Sequence, residues 1–331
     1  GLTRLGSWSR GLVDVYKRQV VDNSETCTYK QDIPDSVDVK AGDIAGLINA
    51  ISKANAGLGP GDIRIVAGDN GESGFEFSGP APGFDSALPD SSGNIRISGF
   101  EGLVFRPAKD AVGLFRFLRV TDGKLALSQS KIEGYGVSRT DGGAIEVQGN
   151  SQLVLDGVDF HDNASSANGG AIAVTGGASL TTARSLFSGN IAGMSGGAIN
   201  AEATSAIEIS RGRFQDNDAG LSGCDISISS SVSGRPALLV QGSQFTSNCS
   251  GPLIDNPSGF MRLLNNTFYS DSDHINSTGR VEMQGNVFQF GTATSKDLRS
   301  AASPPRKQAL CVDFDSGAYE SLGYNITSDD N

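Results

Sequence analysis

Apolar pairs two positions apart, each followed at a fixed distance by phenylalanine, recur along the second half of the chain. Leu153 and Leu155 precede Phe160, Leu180 and Thr182 precede Phe187, and Ile207 and Ile209 precede Phe214. The series continues with Leu238 and Val240 before Phe245, Met261 and Leu263 before Phe268, and Val281 and Met283 before Phe288. Successive strand side chains point to opposite faces, so two-residue spacing places each pair on one face of a β-strand. The segments 144–147 and 171–174 read as a second strand type, and helical periodicity is absent from these repeats.

Between the strands the chain repeats itself. Gly142-Gly143-Ala144-Ile145 returns as Gly169-Gly170-Ala171-Ile172 and Gly196-Gly197-Ala198-Ile199 at steps of 27 residues, and a degenerate copy follows as Gly223-Cys224-Asp225-Ile226. Phe160-x-x-Asn163, Phe187-x-x-Asn190 and Phe214-x-x-Asn217 keep the same period, and Phe245-x-x-Asn248 arrives after 31 residues. No two-residue hairpin turn joins neighbouring strands, so the simplest solution stacks each repeat on its copy, about 4.8 Å along an axis. The pattern predicts an all-β fold: a right-handed parallel β-helix, a solenoid of about ten coils, with a short N-terminal capping helix. Ile145, Ile172, Ile199 and Ile226 should form one buried column, and Phe160, Phe187, Phe214 and Phe245 another. Asn163, Asn190, Asn217 and Asn248 should form a corner ladder that satisfies turn backbone groups. Gly143, Gly170 and Gly197 suit corners that need unusual dihedrals or close approach of coils.

The helix is expected over 43–55, with Asp43 as N-cap and Ile44, Leu47, Ile48 and Ile51 on one face, covering an otherwise open strand edge. Strand-like segments 62–67, 94–98 and 113–120 start the coils. The expected organisation is a non-native or disordered leader at 1–19, a cap region at 20–61, the β-helix at 62–291 and a loop and tail at 292–331. Residues 11–19, GLVDVYKRQ, resemble translated adaptor sequence from assembled metagenomic reads. The tail lacks an evident closing element, so truncation at both ends is expected.

Gly-Gly-Ala-Ile alternating with Phe-x-x-Asn resembles the repeats of chlamydial-type polymorphic outer membrane proteins. More broadly, the chain resembles bacterial secreted or surface β-helix proteins of the pectin-lyase-like superfamily. The segments Gly317-Ala318-Tyr319-Glu320 and Gly323-Tyr324-Asn325 are similar to those near the ends of many such proteins. The resemblance implies export and an extracellular or outer-surface location, and it does not imply an activity.

A net charge of -11 disfavours nucleic acid, whose affinity depends on Lys and Arg neutralising phosphates. No apolar run is long enough to span a membrane. Cys27, Cys224, Cys249 and Cys311 form no C-x-x-C pair, so neither a metal site nor a cofactor is expected. Cys224 and Cys249 fall near one edge of neighbouring coils. A bridge between them is feasible, and two buried free thiols are the other reading.

The motifs expected of polygalacturonases and pectate lyases are absent. Asp156, Asp159, His161 and Asp162 lie on one coil, Arg184 on the next, and Arg211 and Arg213 on the one after. The candidate catalytic residues are therefore Asp159, Arg184, Arg211 and Arg213, as parts of a saccharide cleft. The competing reading is solvated charge with weak ion pairs. The expected function is a non-enzymatic secreted or cell-surface protein presenting an extended surface for adhesion or for glycan or partner binding, with polysaccharide or cell-surface molecules as partners. The alternative is a lyase or hydrolase acting on an acidic polysaccharide.

Overall fold

Most strands in the repeat region are short, because glycine, asparagine or serine turns the chain before a hairpin can form. Strand then pairs with strand only across one full turn, and every described pairing is parallel. The computed structural model describes residues 36–290, except 204, 231–234, 248, 271–273 and 278, together with strands Val312–Asp313, Tyr319–Ser321 and Ile326–Ser328. The chain divides into two units, Gly1–Pro34 and Asp35–Asn331, and all described residues belong to the second. The leader at 1–19, the polar loop at 292–308, Asn248, Cys27 and Cys311 lie outside the described residues.

The architecture is a right-handed β-solenoid. One face begins at Ser36–Lys40, continues through Asp62–Val66 and Asn94–Ser98, and reaches Val281–Gln284 and Tyr319–Ser321. A second face carries the phenylalanines; it merges with the first in the long strands Lys124–Glu133 and Gln152–His161. A third face is an eight-stranded sheet from Leu118–Val120 to Val312–Asp313. The solenoid therefore completes about eight turns on this face rather than about ten. The first face extends further because its earliest strands precede any counterpart on the third. Within 113–120 only Leu118–Val120 is strand, and Gly74–Phe77 and Val104–Pro107 are strands that periodicity did not reveal.

Side-chain columns fill the interior. Ile145, Ile172, Ile199, Ile226 and Ile254 stack in register and are fully buried. Phe160, Phe187, Phe214, Phe245, Phe268 and Phe288 form a second column, with successive ring centroids 4.7–5.1 Å apart and nearly parallel. Identical rings stack because each occupies the same strand position one turn apart. Helix Ile44–Asn55 buries Leu47, Ala50 and Ile51 against this core, and Asp43 Oδ1 accepts the Gly46 amide hydrogen at 2.8 Å.

The two glycines of each pair do different jobs. Gly142, Gly169, Gly196 and Gly223 have φ between +63° and +71°, a region that side chains disfavour. A Cβ on the following Gly170 would collide with the Gly197 carbonyl oxygen on the next turn and come within 2.7 Å of the Ile191 backbone.

The asparagines form a hydrogen-bonded relay. Asn163 Nδ2 donates to Asn190 Oδ1 at 3.0 Å, and Asn190 Nδ2 donates to Asn217 Oδ1 at 2.9 Å. Each oxygen also accepts a backbone amide from the preceding turn: Tyr135 at 3.1 Å, Asn163 at 3.1 Å and Asn190 at 3.0 Å. The relay ends at Asp225, whose Oδ1 accepts Asn217 Nδ2 at 2.9 Å, while Ser247 Oγ accepts the Asn217 amide at 3.1 Å. In the longer fourth turn Ser247 thus takes the acceptor role expected of an asparagine. A second relay at another corner, Asn266 to Asn286 at 3.0 Å, is marked in sequence by asparagine two residues before Phe268 and Phe288.

Candidate functional site

The predicted acidic and basic face is assembled only in part. Asp159 and Arg213 share a column, but Leu186 lies between them, so they stand two strand spacings apart. His161 stacks on Ser188 and Gln215, not on an arginine. Asp156 and Arg184 do form an ion pair across one turn, with both side chains about half exposed. Arg211 and Arg213 are exposed and hold no acidic partner among the described residues. Asp159 lines a shallow pocket with Glu101, Gln129 and Lys131. Burial, with Lys131 nearby, holds the His161 pKa below its usual value. Nothing here sets a general acid opposite a general base.

A denser polar cluster lies where the third face begins, and charge patterning alone gave no sign of it. Arg116 occupies the second-glycine position of the first turn, in register with Gly143, yet its side chain is only 1% exposed. It pairs with Glu146 and donates to Thr140 Oγ1 at 3.0 Å. Arg119 reaches Glu146 at 3.1 Å, Asp85 at 2.6 Å and Asp90 at 3.7 Å. Burial lowers the Arg116 pKa, opposed by Glu146. Burial likewise raises the Asp90 carboxyl, which Arg119 partly offsets. Each charge is tied to an opposite one, so the cluster fastens the segment around 85–90 to the sheet and leaves no free nucleophile.

Beyond this cluster the outward side chains of the third face run in register as Glu146, Ala173, Asn200, Ser227, Asp255 and Asn276. They point away from the core, yet Ala173, Asn200, Ser227 and Asp255 are at most 7% exposed. The row is therefore recessed below the solvent-accessible surface. Gln148 Nε2 donates to Glu146 Oε1 at 2.6 Å, and Asn276 Nδ2 donates to Asp255 Oδ1 at 2.7 Å. Glu146 and Asp255 are four strand spacings apart, about 19 Å. Paired glycosidase carboxylates stand about 5–9.5 Å apart. The histidines are elsewhere: His161 is on the second face, and His274 is buried against Phe268 and Phe288. What this face offers is a row of amide, hydroxyl and carboxylate groups at regular intervals.

Cys224 and Cys249 are joined by a disulfide with Cα atoms 6.3 Å apart. It lies beside Asp225, where the asparagine relay ends.

The parallel solenoid, its stacked columns and its corner relay define the class, and comparison agrees with it. Residues 118–288, just over half of the chain, match the family model described as right handed beta helix region, and the protein belongs to that family. No curated protein and no solved structure matches the chain. Among the described residues no helix is long and apolar enough to cross a membrane.

Proposed function

We propose that this is a non-enzymatic secreted or cell-surface β-helix protein that binds a glycan chain along the recessed third face. The observation that carries the reading is the outward-facing row of buried Asn200, Ser227 and Asp255, continued by half-buried Asn276. One hydrogen-bonding side chain per strand spacing suits a linear, hydroxyl-rich polymer, and preset neighbours reduce the ordering cost of binding. The Cys224–Cys249 bridge supports an oxidising compartment, as does the resemblance of the repeats to polymorphic outer membrane proteins. Within the row Glu146 and Asp255 stand too far apart for a glycosidase pair, and the carboxylates nearer Glu146, those of Asp85 and Asp90, are engaged by Arg119, which supports binding over glycosidic hydrolysis.

A glycan array probed with the labelled protein tests this. Binding to one class of linear glycan is expected, and it should be abolished by Asn200→Trp or Ser227→Trp, which fill the recess. Binding that survives both substitutions, or its absence from every linear glycan, would remove the recessed face from consideration.

A further inference from the structure

The bend between the first and second faces uses one left-handed residue per turn. In register these are Gln129, Gly157, Arg184, Arg211, Gly242, Asn265 and Gly285, with φ from +48° to +67°. Glycine and asparagine adopt this conformation readily, whereas a long branched-headgroup side chain gains nothing from it. Two arginines nevertheless occupy it on successive turns, at φ +52° and +53°. The register places them on neighbouring turns.

At several other places on these faces an arginine stacks on an acid. Arg64 pairs with Asp38, Arg106 with Glu76 and Glu133, and Arg262 with Glu282. Arg184 has Asp156, but Arg211 and Arg213 have no acid partner among the described residues. Arg213 stands two residues past Arg211, directly beside Gln244 on the next turn. Glu208 and Asp216 mark the edges of the patch. In a chain of net charge -11 two neighbouring exposed arginines without an ion-pair partner among the described residues stand out. Arginine at adjacent turns in a conformation that glycine would adopt without cost gives these positions a reason to be tested for a role beyond turning the chain.

We propose that Arg184, Arg211 and Arg213 form a binding site for the sulfate or carboxylate groups of an anionic polysaccharide. Guanidinium groups match both anions with paired N–H donors, and Gln244 adds an amide donor for a hydroxyl beside them. Successive arginines about 4.8 Å apart can engage successive anionic groups of one extended polymer. The site lies on a different face from the recessed row and does not rest on it.

The test immobilises dextran sulfate, polygalacturonate and neutral dextran, and measures binding of the whole chain by biolayer interferometry at about 50 mM salt, where screening is weak. Binding to at least one polyanion and not to neutral dextran is expected. Arg211→Gln with Arg213→Gln should weaken it by about tenfold or more, as the loss of two charge-assisted contacts implies. The charge-matched pair Arg64→Gln with Arg96→Gln should leave it within about twofold. Comparing the two polyanions identifies the preferred group. Equal losses in both double variants, no polyanion binding, or equally tight binding to duplex DNA or phosphatidylserine vesicles would overturn the proposal. All four substitutions are of residues outside the core, and circular dichroism should show folds unchanged.

Discussion

Replacing Asn190 by alanine probes the corner relay at its centre. Asn190 Oδ1 accepts the Asn163 backbone amide at 3.1 Å and Asn163 Nδ2 at 3.0 Å. Its own Nδ2 donates to the Phe160 carbonyl at 3.1 Å and to Asn217 Oδ1 at 2.9 Å. Asn163, Asn190 and Asn217 are all at most 1% exposed, so water does not replace the lost partner. Alanine leaves two buried N–H groups of Asn163 without an acceptor, each costing about 1–3 kcal/mol. The expected destabilisation is therefore about 2–6 kcal/mol, read from the urea midpoint and slope by circular dichroism. Ser247 shows that a hydroxyl can fill the acceptor role for a backbone amide. Asn190→Ser should accordingly lose less than Asn190→Ala. A loss below about 0.5 kcal/mol for alanine, the range of ordinary surface changes, would refute the relay as a source of stability. So would serine and alanine losing equally.

Phe187→Ala removes a ring centred 5.1 Å from Phe160 and 4.9 Å from Phe214, and it should cost about 3–5 kcal/mol in the same assay; an unchanged midpoint would mean that the column is not the core. Burial raises the Asp225 pKa from 3.8 to about 7, so the fold favours the neutral acid. The stability it preserves is complete below pH 3.8 and is lost as pH rises through about 7, at about 1.4 kcal/mol per pKa unit. Asp225→Asn should flatten the stability profile between about pH 4 and 8, and a profile identical to wild type would contradict the assignment. Reducing Cys224–Cys249, which closes a separation of 25 residues, should lower stability by about 3.5 kcal/mol on the chain-entropy estimate; reductant without effect on the midpoint would show that the bridge does not constrain the chain.

What could be read from sequence was whatever the repeat spacing fixes directly. Ile145, Ile172 and Ile199 recur at one interval, so stacking them at one height followed from geometry alone. The glycine pairs were legible as corners, but not that one glycine supplies the dihedral and the other the clearance. The bend column was hidden because Gln129, Arg184 and Arg211 share a backbone conformation with glycines while having nothing chemically in common with them. Arg116 was missed because a charged residue in sequence reads as exposed, and only the folding of the segment around 85–90 over it makes burial and pairing possible. The recessed face escaped for a related reason. Ala173, Asn200 and Ser227 alternate with core residues as solvent-facing positions should, and alternation reports direction rather than depth.

The central functional claim is that the recessed face holds a glycan without cutting it. Size-exclusion chromatography with light scattering, run after prolonged incubation of the protein with the glycan selected on the array, reports both parts at once. The account predicts that polymer co-elutes with the protein and that its molar mass stays unchanged when the protein is removed. Polymer shortened in proportion to incubation time, with new reducing ends or unsaturated uronates, would contradict it.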